Sequence, residues 1–196
     1  SDLLANEFRI TPDGVGGFTA NGAKYYIGNS NAASMMAILA RHADPETDTI
    51  TRRAPFALIA LRPPDAPGYR SLAKIRTLGI RSGHVGSFEV KDHTLPASDV
   101  IAEGRRAWDA VMGTVTLGKF FLGFGSIGIC EHAFAEATEH LRTRVLYGAP
   151  AIEMPHLRTK MATAYTRLAA MKLFAYRALD YVHAAHPDDR RYLLYC

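Results

Sequence analysis

Gly123-Phe124-Gly125-Ser126-Ile127-Gly128 spells G-x-G-x-x-G, a fingerprint whose chemistry would be dinucleotide binding. The glycines of such a run let backbone approach a pyrophosphate at the mouth of a helix. The chemistry also needs a strand before the turn and an acidic residue closing a second strand ~20 residues on. Lys119-Phe120-Phe121-Leu122 could pass for the first strand, but residues 129–144 read as helix and end in Arg142 and Arg144, with no second apolar strand behind them. We therefore read the run as small residues on a buried helix, where they let a neighbouring helix come close. The two cysteines, Cys130 and Cys196, make neither a disulfide framework nor a metal motif. Eight histidines form no His-x-x-x-His pattern, and no metal site is expected. Cys130 falls in an apolar helical run and reads as a small core residue. The Met35-Met36 and Phe120-Phe121 pairs also read as core, because large apolar side chains are mostly packing residues.

Two kinds of element would have to position any site. Residues 17–20, 24–29, 35–42, 56–62, 71–77 and 84–91 are short runs rich in β-formers, separated by turn signals such as Pro12-Asp13-Gly14, Pro63-Pro64 and Ser82-Gly83. Asn21-Gly22 between two such runs predicts a hairpin, since both residues accept the positive φ of a type I′ turn. Residues 44–54, charged and Thr-rich, predict an exposed loop. Near Pro96 the pattern changes. Phe121, Phe124, Ile127, Cys130, Phe134, Ala137 and Leu141 recur at helical spacing, and a second helical stretch follows Pro155 to about His183. Pro187-Asp188-Asp189 breaks it, and Arg191 to Tyr195 reads as the start of another helix. Strands followed by helices, not alternating with them, predict separate β and α regions, which we place at 1–102 and 103–196.

Composition narrows the function classes. Hydrophobic residues make up 48% and charged residues 21% of 196, as in ordinary globular proteins with room for one large or two small domains. No run reaches ~20 uninterrupted apolar residues, so no membrane span is expected. The opening SDLLANEFRI has neither a basic stretch before an apolar run nor an initiator Met, so no signal is expected and the chain reads as entered in mid-sequence. Net charge is +4, with 11 Lys/Arg against 10 Asp/Glu in residues 1–102 and 12 against 9 in 103–196. An excess so thinly spread argues against nucleic acid.

Three segments together resemble the acyl-CoA dehydrogenase family. Asn21-Gly22-Ala23-Lys24-Tyr25-Tyr26-Ile27-Gly28-Asn29 is similar to the family's N-G-x-K-x-W-I-T-N. Leu78-Gly79-Ile80-Arg81-Ser82, followed by Val90 to Pro96, resembles its L-G-x-R-x-S and the closing F-x-D-V-x-V-P strand. Arg144-Val145-Leu146-Tyr147-Gly148-Ala149-Pro150 is similar to its R-x-x-F-G-x-P turn between two long helices. The resemblance implies an α+β multidomain fold. A β-barrel-like middle domain, incomplete at its N-terminus, would be followed by the first helices of an antiparallel C-terminal helical bundle. It implies FAD held between the two, partly by a neighbouring subunit of a homodimer or homotetramer.

The implied activity is α,β-dehydrogenation of an acyl-CoA thioester to the trans-2-enoyl-CoA, with electron-transfer flavoprotein or oxygen as acceptor. The alternatives are an oxidase or monooxygenase on the same scaffold, or a non-catalytic paralogue. No nucleic acid partner is implied, and the location would be cytoplasmic, as in bacteria, or the mitochondrial matrix. The family's glutamate base is expected beyond Cys196, so no catalytic residue is assigned here, and the fragment alone is expected to be inactive. The resemblance puts Tyr26, Ile27 and Gly28 beside the flavin. Tyr26 takes the place of a tryptophan, and Gly28 that of a Thr or Ser whose hydroxyl reaches flavin N5; some oxidase relatives share this glycine. Arg144 would contact the FAD pyrophosphate, Tyr147 the adenosine portion, and Ser1 the acyl-CoA thioester region. Lys119 stands for a frequent arginine and Thr116 for a frequent aspartate. Pro155 stands for a glutamine that often contacts FAD, with Met154 and His156 as neighbours, and Trp108 is an aromatic that opens the first bundle helix by packing.

Overall fold

A computed structural model describes residues 3–63 and 66–184. Ser1 and the expected helix start at Arg191 lie outside them. The β region holds strands β1 (Arg9–Pro12), β2 (Gly17–Gly28), β3 (Met36–His42), β4 (Phe56–Leu61), β5 (Tyr69–Lys74), β6 (Val85–Pro96) and β7 (Val100–Glu103). They form one sheet in the order β5-β6-β2-β1-β3-β4-β7. Adjacent pairs run antiparallel except β1 with β3.

Alternation along the strands places the core. Met36, Ile38 and Ala40 of β3 meet Leu61, Ile59 and Ala57 of β4 in register, and all six are buried. Ile10, Ala20, Phe88, Val90 and Leu95 join the same cluster from β1, β2 and β6. Phe8 sets its ring edge-on to Phe88 at 6.5 Å, and Tyr69 stacks on Phe88 at 5.1 Å. Strands far apart in the sheet order thus share one core, which is how a curled, barrel-like sheet closes over its interior. Each fully buried aliphatic side chain stabilises by about 1.5–3 kcal/mol.

Asn21-Gly22 is a β-bulge, not the hairpin turn expected from its sequence. β2 runs unbroken through it, with register shifts against β6 at Ala20/Gly22 and again at Lys24/Ile27. The two runs flanking a hairpin must pair with each other. Here both pair with the 12-residue β6, at Pro96–His93 and at Phe88–Val85 respectively. Gly22 has φ 143°, and a Cβ there would lie 2.8 Å from the Phe8 Cα, so the glycine serves close approach of backbone. The Asn21 side-chain oxygen accepts a hydrogen bond from the Asp92 N–H at 2.8 Å, securing the bulge to β6.

Two long helices follow, α1 (Gly104–Thr143) and α2 (Pro155–Ala184), with the two-residue strands β8 (Val145–Leu146) and β9 (Ala149–Pro150) between them. The chain divides into two compact units within α1, after Met112. The opening turns of α1 belong with the sheet: Ala107 is fully buried and Trp108 packs on Phe56 at 5.1 Å. In the helical unit, Phe124 meets Tyr176 at 5.5 Å, Glu131 pairs with Lys172, and Phe134 meets Tyr165 at 5.7 Å. That descending order makes α1 and α2 an antiparallel pair. Pro155 opens α2 at the one helical position where a missing N–H costs nothing.

Several core assignments are corrected. Cys130 is exposed, Phe121 is 68% exposed, and Met35 is 60% exposed while its neighbour Met36 is buried. The helical spacing holds, but only part of the stripe is covered: Ile127 is buried and Phe124 and Phe134 meet α2, while Phe121 and Cys130 have no covering partner among the described residues. Gly123, Gly125 and Gly128 lie inside α1, and a Cβ on any of them would meet nothing within 4 Å. The dinucleotide reading therefore fails as expected, but no described helix comes close over these glycines. α1 is long and apolar enough by composition to cross a membrane, with 11% of its most apolar window buried.

Candidate functional site

The far end of β2 is the first candidate. β1 pairs with β2 only over Phe18–Asn21, so Lys24–Gly28 have a ladder partner on the β6 side alone. The second bulge falls within this stretch, and Tyr26 sits in it with φ 67°. A left-handed conformation costs a non-glycine residue about 1–2 kcal/mol. Such strain persists where surrounding structure imposes it, and it clusters at functional sites. Tyr26 is 58% exposed and tilts against Tyr25 at 5.9 Å. Ile27 is half-buried against the core, and Gly28 is exposed, with nothing within 4 Å of where its Cβ would stand. These residues offer an aromatic face, an open strand edge and an uncrowded glycine.

Lys24, two residues earlier, points the other way. Its ammonium donates to the Asn6 side-chain oxygen at 2.6 Å and lies 5.5 Å from the centre of the Phe8 ring. Asn6 is itself anchored, donating to the Leu39 carbonyl at 2.8 Å and accepting from the Phe8 N–H at 3.2 Å. Burial, with no carboxylate to compensate it, lowers the Lys24 pKa from 10.5 to about 8. Sequence reasoning quoted this lysine within a motif and gave it no role.

The second candidate is the turn between α1 and α2. Val145 pairs with Pro150 and Leu146 with Ala149, leaving Tyr147 and Gly148 as the two turn residues, with φ 52° and 84°. Two positive φ values are the mark of a type I′ turn, which normally takes Asn or Gly at its first central position. A tyrosine there bears strain, and Tyr147 is 100% exposed, so no packing within the chain compensates it. Arg144 precedes the turn and follows the last residue of α1. Its N–H bonds back to the His140 carbonyl, its own carbonyl accepts from the Ala151 N–H at 2.7 Å, and its exposed guanidinium has no ion pair among the described residues. The backbone is pinned on both sides while the charged end is left to solvent.

The substituted positions on α1 differ from one another. Thr116 is 4% exposed and its hydroxyl has no partner among the described residues. Lys119 lines an apolar cleft of about 320 Å³ between α1 and α2, with Phe120, Phe124, Ile127, Met171 and Phe174 among its walls. Tyr26, Ile27 and Gly28 lie in the β unit, and Arg144 and Tyr147 in the helical unit.

Comparison with known proteins agrees with this architecture. Residues 106–194 match the family described as acyl-CoA dehydrogenase, C-terminal domain. The chain is 25% identical over 178 residues to a short-chain specific acyl-CoA dehydrogenase of Megasphaera elsdenii, an alignment that covers 91% of this chain and 45% of that protein. Among solved structures it is similar to an acyl-CoA dehydrogenase from Geobacillus kaustophilus, with TM-score 0.80, 19% identity, and 94% of this chain covered against 47% of that one. An acyl-CoA dehydrogenase complexed with FAD from Bacillus anthracis matches with TM-score 0.77 and 17% identity over 92% of this chain and 30% of that one. The chain thus spans less than half the length of the relatives it matches.

Proposed function

For this chain of the acyl-CoA dehydrogenase family, we propose that it forms part of an FAD-dependent enzyme that removes hydrogen from the α and β carbons of an acyl-CoA thioester, giving the trans-2-enoyl-CoA. The observation that carries the reading is the open end of β2, where Tyr26 is held strained and exposed beside an unencumbered Gly28.

The donor set suits FAD. Arg144 offers an exposed guanidinium fork with no ion pair among the described residues, which matches a pyrophosphate better than an ammonium would. Tyr26 and Tyr147 offer aromatic faces, and the β2 edge offers backbone groups without a strand partner. Flavin, when bound, supplies the hydride acceptor for the β carbon. The protein's part is to orient the thioester, to exclude water and to take the α proton with a carboxylate. No glutamate of this chain is assigned that last role. Tyr26 and Ile27 would pack beside the ring system, and Gly28 would present backbone to it. Arg144 would hold the pyrophosphate and Tyr147 the adenosine portion, in a neighbouring subunit of a homo-oligomer. The apolar surface of α1 is then that of a bundle helix awaiting its neighbours.

One observation favours a second reading. Gly28 leaves open space where a hydroxyl-bearing side chain would otherwise stand, and that suits a relative that passes electrons to oxygen. The test is the visible spectrum of the purified full-length protein, before and after anaerobic addition of a panel of acyl-CoA thioesters. Bleaching of bound flavin by one thioester supports the proposal, and admitting oxygen then separates dehydrogenase from oxidase. Flavin that no thioester bleaches overturns the substrate, and failure to bind FAD at all overturns the enzymatic reading.

A further inference from the structure

The loop between β5 and β6, residues 75–84, turns two large apolar side chains to solvent: Leu78 is 96% and Ile80 82% exposed. Ile80 is held at φ 44°. For a β-branched residue a left-handed backbone is an outlier, and such strain persists only where surrounding structure imposes it. The loop supplies that structure. The Ile75 N–H bonds to the Val85 carbonyl at 2.7 Å and the Gly83 N–H to the Ile80 carbonyl at 3.2 Å. The Thr77 hydroxyl donates to the Gly79 carbonyl at 2.5 Å, and the Lys74 ammonium to the Arg81 carbonyl at 3.0 Å. The apolar tip is therefore braced from within and held out in a fixed form.

Charge of one sign surrounds it. Residues 66–88 carry Arg70, Lys74, Arg76 and Arg81 and no Asp or Glu. Arg70 is answered by Glu89 across the strand pair. Lys74, Arg76 and Arg81 are exposed and form no ion pair among the described residues. Together with Ile75 and Thr77 these three cations line a cavity of about 210 Å³.

An aliphatic tip with a cationic collar selects its partner. Two side chains are too few to hold a protein, because a stable interface covers ~800 Å² on each partner and its anchors are Trp, Tyr and Arg more often than Leu. A lipid surface asks for no matching shape. It takes aliphatic groups below its headgroups, and its anionic lipids attract the cations that lie behind them. We propose that loop 75–84 docks this chain on an anionic membrane surface, with Leu78 and Ile80 entering the headgroup boundary and Lys74, Arg76 and Arg81 on lipid phosphates. The docking is peripheral and reversible, since two side chains bury less than a single lipid anchor does. It uses none of the residues assigned to the flavin.

The test is sedimentation of the full-length protein with vesicles of phosphatidylcholine alone or with about one-third phosphatidylserine. The expected result is binding to the anionic vesicles that is weakened by salt and at least about tenfold tighter than to the neutral ones. Arg76→Gln combined with Arg81→Gln should weaken it by about tenfold or more, at about fivefold for each charge. Leu78→Ser combined with Ile80→Asn should also weaken it by about tenfold or more. That pair should leave the thermal unfolding transition in place, because both side chains are exposed and Asn accepts the left-handed backbone. In Leu78→Trp, the emission in excess of the parent's should shift to the blue on anionic vesicles alone. Absence of binding to anionic vesicles, equal binding to neutral ones, unchanged affinity in either double variant, or an unshifted emission would overturn the proposal. Binding of soluble polyglutamate as tight as that of the vesicles would identify an acidic protein as the occupant and overturn it too. None of these readouts involves flavin or thioester, so failure here leaves the proposed function untouched.

Discussion

Lys24→Met should flatten the pH dependence of stability above neutrality. In the folded chain the Lys24 ammonium is mostly buried, held by the neutral oxygen of Asn6 and the face of Phe8, and its pKa falls from 10.5 to about 8. The unfolded chain therefore binds more protons than the folded one between about pH 8 and 10.5, and stability must rise with pH across that window. Below pH 8 the lysine is charged in both states and contributes no slope. Integrating the two titrations from pH 7 to pH 10 gives a gain of about 2.5 kcal/mol, an upper figure because the hydrogen bond and the ring both favour the charged form. Removing the ammonium does not orphan Asn6, whose oxygen still accepts from the Phe8 N–H. The variant should therefore be at least as stable as the parent at pH 7. The assay is urea unfolding followed by circular dichroism at pH 7, 8, 9 and 10 for both proteins. Other titrating groups, including Tyr69, whose pKa is raised by burial, cancel in the difference between the two curves. The difference should shift by about 1–2.5 kcal/mol between pH 7 and 10. Curves that stay parallel within about 0.5 kcal/mol would refute the reasoning.

Three further outcomes follow from backbone geometry. Gly22→Ala should cost about 2 kcal/mol or more in unfolding free energy, because its Cβ would sit 2.8 Å from the Phe8 Cα. Tyr147→Asn should raise stability by about 1 kcal/mol by easing the strained turn, and should lower FAD occupancy of the full-length protein; stability without the loss of flavin would remove Tyr147 from the site. Gly28→Thr meets no neighbour within 4 Å and should fold with stability within about 0.5 kcal/mol of the parent, while slowing reoxidation of the reduced flavin by oxygen; an unchanged rate would mean that position 28 does not face the flavin.

The most apolar and most deeply buried strands were legible from sequence. Residues 35–42 and 56–62 correspond to β3 and β4 because each pairs over its full length and turns one face to the core. β1 and β7 were not legible: each has four residues, too few to show a period, and each is defined by its partner in the sheet. The Asn21-Gly22 error has the same source. A local turn signal was outvoted by β6, whose pairing with both halves of β2 is a long-range property. Cys130 and Phe121 show the opposite limit: spacing reveals which helix face is apolar but not what covers it. The candidate residues near Tyr26 and Arg144 were found through family motifs, whereas the strain at Tyr26 and Tyr147 has no sequence signature. A pocket of the β unit gathers the arginines at 41, 52, 53 and 105, and nothing in the linear order joins the last to the others.

Arg41, only 9% exposed, donates from Nη2 to three carbonyls of the loop between β3 and β4 and so governs how this chain meets a protease. Arg52-Arg53 is an exposed dibasic pair in a loop, the sort of bond trypsin cuts first in a folded protein. Yet the carbonyls of Thr51, Arg52 and Ala54, before, within and after that pair, are held as acceptors by one nearly buried guanidinium. The peptide cannot extend into a protease cleft until all three bonds are released together. The susceptibility of the loop is thereby tied to the opening of the core side chain that holds it, and an outwardly vulnerable segment acquires the lifetime of the interior.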